Sequence, residues 1–157
     1  NKKASTPAAE HPFKVDPNTT KLDSKRANIF HEFVAKNLFL SQRSRLDITL
    51  TVAFLCTRVK SPDEDDWKKL LRLSIHLECT KPFHLTLEAD SLHIVQWWAD
   101  AAFAVHPNTK SHTEVTIASG KGIIKAISSE QKINLWHDGA IWSLFFKMFC
   151  VSPWVTL

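Results

Sequence analysis

Several absences narrow the reading before any motif is weighed. Three cysteines, Cys56, Cys79 and Cys150, stand at wide spacings with no CxxC pair. That odd, scattered set argues against a disulfide framework or a zinc site and reads as buried thiols. The eight histidines form no H-E-x-x-H pattern; His76, His84, His93, His106, His112 and His137 read as surface or strand-end residues. Of three glycines, Gly120 and Gly122 fall in a turn, outside any GxxxxGK[ST] or GxGxxG loop, so no nucleotide pocket is implied. No internal repeat is visible. The opening NKKASTPAAEHPFKV has no apolar run behind its lysines, and no secretory signal is expected. The apolar stretch Ile141 to Leu157 is interrupted by Lys147 and Pro153 and is shorter than the roughly 20 residues a spanning helix needs, so no membrane span is expected. The first residue is Asn rather than Met, which suggests a fragment.

What is present fits a globular chain. With 157 residues, 44% of them hydrophobic and 23% charged, there is enough for one ordinary domain or two partial ones sharing a core. Twenty Lys+Arg against 16 Asp+Glu give a formal charge of +4 and a pI near 9.0. Such a balance favours a polyanion without requiring one.

Residues 1–22 carry Pro7, Pro12 and Pro17 among small and polar residues and read as a linker. From Asp23 or Ser24, the spacing of Ala27, Phe30, Phe33, Val34 and Leu38 predicts a helix to Ser41 with that stripe inward. A second helix is expected from Asp47 as N-cap through Leu50, Ala53, Phe54 and Thr57, although the alternation Ile48-Thr49-Leu50-Thr51-Val52 also suits a strand. The third has Ser61 as N-cap, Pro62 at the first position and Glu64 completing an S-x-x-E capping box. Its predicted inward stripe is Trp67, Leu70, Leu71, Ser74 and Ile75, and Asp63, Glu64, Asp65 and Asp66 read as helix-start charges rather than metal ligands. After Pro82 the period becomes extended, over Leu85–Leu87, Leu92–Phe103, Glu114–Ala118 and Gly122–Ser128, the last two joined by Ser119-Gly120-Lys121-Gly122 as a hairpin turn. The fold class expected is α+β, about three helices followed by an antiparallel meander.

One carboxylate stands out. Asp100 interrupts the apolar run Ile94 to Phe103, where loss of hydration would call for a cation, hydrogen-bond donors or a metal ion. A strand-borne carboxylate among others can hold Mg²⁺ for two-metal phosphodiester hydrolysis; the bland alternative is a strand-end Asp meeting water. Nothing in the sequence brings a Ser/His/Asp or Cys/His set together.

Two segments carry a family resemblance. Ala53-Phe54-Leu55-Cys56-Thr57-Arg58-Val59-Lys60-Ser61-Pro62, continuing into EDDWKKLLRL, is similar to a stretch near the end of copia-type LTR-retrotransposon reverse transcriptases. The preceding RSRLDI resembles that family's R.RPDI, with Leu46 in place of the proline. WWADAAFAVHPNTKSHT, Trp97 to Thr113, is similar to the segment that opens the family's RNase H domain, and Thr6 to Val15 looks like its linker. In order and spacing the similarity covers roughly residues 6–134. It implies that residues 23–81 form a helical reverse-transcriptase connection segment and residues 82–134 a partial RNase H-like domain. It further implies that Asp100 is the first catalytic carboxylate and a Mg²⁺ ligand, and that the partners are an RNA/DNA hybrid and the remainder of the polyprotein. Cytoplasm or nucleus would be the place of action by the same resemblance.

The departures are as informative. After QKIN the family continues TKSSTEAEL, whose helix brings the second carboxylate. Here the chain reads LWHDGAIWSL; Ala140 and Trp142 replace the two glutamates, and Asp138 is out of register. Residues 135–157 are thus an unmatched hydrophobic tail, as a frameshift or gene-model error would produce. Glu114 replaces the usual Gly after SHT, and the polymerase aspartate hairpin has no counterpart. The expectation is a retroelement fragment with incomplete polymerase and nuclease sites, inactive alone and holding Mg²⁺ weakly. The rival readings are a non-catalytic nucleic-acid-binding or interaction module, with Arg43, Arg45, Arg58, Lys68, Lys69 and Arg72 gripping a backbone, and a non-functional relic.

Overall fold

The computed structural model describes residues 3–9, 12–88 and 95–131. The tail expected from residue 135, the first part of the strand expected from Leu92, and Cys150 lie outside them. The chain divides into two compact units, Asn1–Phe83 and His84–Leu157. Three helices, α1 (Ser24–Ser41), α2 (Thr49–Arg58) and α3 (Glu64–Cys79), are followed by an antiparallel sheet of β1 (Gln96–Ala102), β2 (His112–Ser119) and β3 (Gly122–Glu130) in the order β1-β2-β3. The fold is α+β with an open three-stranded meander. Among the described residues no helix is long and apolar enough to cross a membrane.

In the helical unit the core is Phe30 and Val34 of α1, Ile48, Val52, Phe54 and Leu55 around α2, and Leu70 and Leu73 of α3. On α1 the buried row is Phe30, Val34, Asn37 and Ser41, and two members of the predicted stripe, Phe33 and Leu38, are exposed. Asn37 stays inside because its amide donates to the Phe33 carbonyl at 2.9 Å, so a polar residue tracks the 3.6-residue period as well as an apolar one does. The alternation at the start of α2 yields a helix, not a strand, because α2 packs against both α1 and α3 and buries residues on more than one side, Thr49, Thr51, Val52, Phe54 and Leu55. Asp47 is not its N-cap. It sits inside a 3₁₀ turn, Leu46–Ile48, that leads into the helix.

The start of α3 also departs from expectation. Asp63, not Ser61, is the N-cap, accepting from the backbone N–H of Asp65 and Asp66, and the reciprocal partner is Asp66, not Glu64. The cause is the lead-in chain: Leu22 N–H donates to the Pro62 carbonyl at 3.0 Å and Glu64 N–H to the Thr20 carbonyl at 3.1 Å. This bridge holds Asp63 extended, so the helix begins after it. The inward row follows the shifted start, as Asp66, Leu70, Leu73 and His76, and Leu71 is exposed. The lead-in packs on the helices elsewhere too, with the Phe13 ring edge-on to Phe54 at 5.7 Å between centroids.

In the sheet unit, the hairpin between β2 and β3 closes at Ser119 and Gly122, with Gly120 at φ 61° as the turn chemistry predicts. Leu85–Leu87 is not a strand. Its backbone crosses Gly122 so closely that a Cβ there would collide with the Thr86 carbonyl and Leu87. β2 and β3 run longer than expected, and β1 ends at Ala102 before Ala104, whose φ of 51° breaks the extended path.

Candidate functional site

Asp100 lies within β1, on the sheet face shared with Trp98 and Ala102, because side chains alternate along a strand. Antiparallel pairing sets it opposite Glu114 of β2, and Glu114 opposite Ser128 of β3. Asp100 is exposed, and its Oδ1 accepts from the Ala101 N–H at 2.8 Å. Solvent therefore hydrates it, and the compensating group that an apolar strand called for is not required. Glu114 is half-buried; burial, and then the charge of Asp100, pushes its carboxyl above the ordinary value. Two-metal hydrolysis needs several carboxylates converging on the ions. Among the described residues, no three His, Cys, Asp or Glu side chains form such a group.

Next to this pair, the same face carries a set that sequence reasoning missed. His106 and His112, expected at the surface, are buried. His106 Nε2 lies 2.9 Å from His112 Nδ1, His112 Nε2 lies 2.7 Å from Ser128 Oγ, and His106 Nδ1 faces Glu130 Oε2 at 3.8 Å. A proton on His106 Nδ1, where it meets the Glu130 carboxylate, sets the rest: His112 Nδ1–H donates to His106 and the Ser128 hydroxyl donates to His112. Burial, then the neighbouring His106, pushes the His112 imidazole down to about 4. Burial lowers His106 as well. Burial alone would raise Glu130, but hydrogen bonds from Lys110 and Asn108 outweigh it and hold the carboxyl below its usual range. An imidazole pushed this low is a poor base toward a serine hydroxyl, and the chain of four orders the Ala104–Ser111 loop against the sheet. Only the strand register, which puts His112 opposite Glu130 and within reach of Ser128, joins residues so far apart in sequence.

The six basic residues expected to grip a backbone separate into two groups. Arg45 is buried; its guanidinium donates to Asp47 at 2.9 and 2.7 Å and to Thr80 Oγ1 at 2.6 Å. His76 joins the same cluster, Nε2 at 3.1 Å from Asp47 and Nδ1 donating to the Ala4 carbonyl at 3.2 Å. Burial pushes the Asp47 carboxyl up, but the bonds from Arg45 and His76 outweigh it and hold it low. Arg58 is likewise committed inward, to Asp66 at 3.0 Å and Asp63 at 2.9 Å. Asp66 is fully buried, and burial pushes its carboxyl up against the pull of Arg58. Lys69 pairs with Asp65 at 3.0 Å, and Arg26 forks onto Glu64. All four acidic residues at the head of α3 are thus occupied as caps or ion pairs. Arg43 and Lys68 are exposed, Arg43 lying over the Phe39 ring at 5.2 Å, and Arg72 reaches Thr6 Oγ1 at 3.0 Å. Cys79, expected buried, is exposed, and Cys56 is half-buried, its thiol pushed up by burial.

Comparison with models of protein families, with curated proteins and with solved structures found no match.

Proposed function

We propose that the chain is a segment of a copia-type reverse transcriptase/RNase H polyprotein that binds nucleic acid without cleaving it. The reading is carried by the ordered resemblance of RSRLDI, AFLCTRV and WWADAAFAVHPNTKSHT to that family, with Asp100 on the first strand of an antiparallel meander. Among the described residues Asp100 has one in-register carboxylate neighbour, Glu114, fewer than the set that hydrolysis with Mg²⁺ requires. The basic grip narrows to Arg43, Lys68, Lys69 and Arg72, since Arg45 and Arg58 spend their charge inside the helical unit. Ile29 and Phe33, exposed one turn apart on α1, support a partner surface toward the remainder of the polyprotein.

The test is cleavage of a labelled RNA/DNA hybrid with Mg²⁺ or Mn²⁺ by the full chain and by Asp100→Asn, alongside binding of the same hybrid. The expected result is binding by both and cleavage by neither. Cleavage that disappears with Asp100→Asn would overturn the non-catalytic half of the proposal, and absence of salt-sensitive binding would overturn the other half in favour of a relic.

A further inference from the structure

Within the helical unit, the lead-in chain, α2 and α3 line a half-open cavity of about 540 Å³, a size typical of small-molecule sites. Pro7, Ala8 and Pro12 form an apolar wall, with Phe54 and Thr51 beyond them. The rim is charged in both senses: Lys14, Lys68, Lys69 and Arg72 against Asp16 and Asp65. Lys69 is held by Asp65 and by the Lys14 carbonyl, whereas the Lys14 and Lys68 side chains are exposed. Arg72 bridges the wall and the rim. One terminal nitrogen donates to Thr6, and its Nε is closed to solvent, so Arg72 meets the cavity through the rest of its half-buried side chain.

We propose that this cavity binds a small phosphorylated molecule with a flat, partly apolar body, of the nucleoside monophosphate class. The phosphate supplies acceptors to Arg72, Lys68 and Lys14, planar guanidinium and phosphate being matched in geometry. The flat body lies against the prolines and alanine. Asp16 and Asp65 take donors from hydroxyl or amino groups, which a bare aromatic phosphate would not offer. No glycine-rich loop is involved, which is why the sequence gives no nucleotide signal. The proposal does not rest on the nucleic-acid reading, since a single nucleotide and a hybrid duplex are separate ligands.

Calorimetric titration of the full chain with adenosine 5′-monophosphate, adenosine and inorganic phosphate tests it. The monophosphate should saturate and bind at least about tenfold more tightly than either part alone, the two parts contributing together as linked contacts do. Arg72→Gln and Lys68→Ala should each weaken it by about threefold or more, and Lys125→Ala, in the sheet unit, should leave it unchanged. Circular dichroism checks the fold; if Arg72→Gln unfolds, the exposed Lys68→Ala decides. No saturable binding, an affinity no better than that of inorganic phosphate, or an affinity unchanged in the folded variants would overturn the proposal.

Discussion

The helical and sheet units solve the same problem of cohesion with different materials. In the helical unit Phe30, Ile48, Val52, Leu55 and Leu73 are wholly buried, while in the sheet unit the buried apolar side chains among the described residues are Ala118 and Ala126. Trp97 at 45%, Trp98 at 51% and Ile127 at 44% exposure leave the large hydrophobes of the strands facing outward. What the sheet buries instead is polar: His106, Ser111 and His112. Apolar burial is non-directional and tolerates repacking, whereas a buried polar chain is stabilising only while every member keeps its partner. The two units should therefore fail differently.

The largest difference should appear on truncating an apolar side chain. Phe30→Ala should cost about 3–5 kcal/mol, as for a fully buried aromatic, whereas Trp97→Ala should cost under about 1 kcal/mol, in the range of surface changes. Urea denaturation followed by far-UV circular dichroism would check both. A Trp97→Ala loss as large as that of Phe30→Ala would mean that the outer sheet face is covered, and the contrast between the units would fall.

Acid should reverse the ranking. The unfolded chain takes up a proton at His112 near 6.5, the folded one only near 4. The stability that depends on the neutral ring is therefore whole above pH 6.5 and declines as pH falls toward 4, by up to about 3 kcal/mol. In the helical unit Asp47 and Asp63 are held below the ordinary 3.8, so their contribution persists above that pH and is lost only below it. Amide exchange protection measured at pH 7 and pH 5 should fall in β2 and β3 and hold in α1 and α3. His112→Asn should reduce the pH dependence to the part that buried His106 contributes; a dependence undiminished in that variant would mean that another group governs it.

How far the sequence was legible follows from the same contrast. Apolar periodicity located α1 to its ends and gave the helices-then-meander order, because burial writes a period into the chain. It misjudged which residues face inward on α1 and α3, since Asn37, Asp66 and His76 take core positions once their hydrogen bonds are satisfied, and no hydropathy pattern marks that. The head of α3 was misplaced by two residues because its cap is fixed by the lead-in at Thr20–Leu22, a contact some 40 residues away in sequence. Asp100 was found as the odd carboxylate of an apolar strand, but its exposure and its pairing with Glu114 depend on register. The Ser128–His112–His106–Glu130 chain was illegible for the same reason, and the cavity beside Arg72 because the proline-rich segment that walls it read as a linker.

The smallest effect on stability should come from the exposed cations, and it sharpens where binding resides. Replacing Arg43 and Lys68 with alanine should change unfolding free energy by no more than about 0.5 kcal/mol. If both meet phosphates, the double variant should flatten the dependence of log affinity on log salt for an RNA/DNA hybrid by roughly 2, near 0.9 for each lost contact. Arg45→Gln should instead lower stability, because it leaves Asp47 without its principal partner, and should alter the salt slope only as far as the unit unfolds. Removing Lys125 from β3 serves as the counterpart in the other unit. A slope that falls with Lys125→Ala and not with the Arg43 and Lys68 pair would move the nucleic-acid surface from the helices to the sheet, and fluorescence anisotropy across a salt series would show it directly.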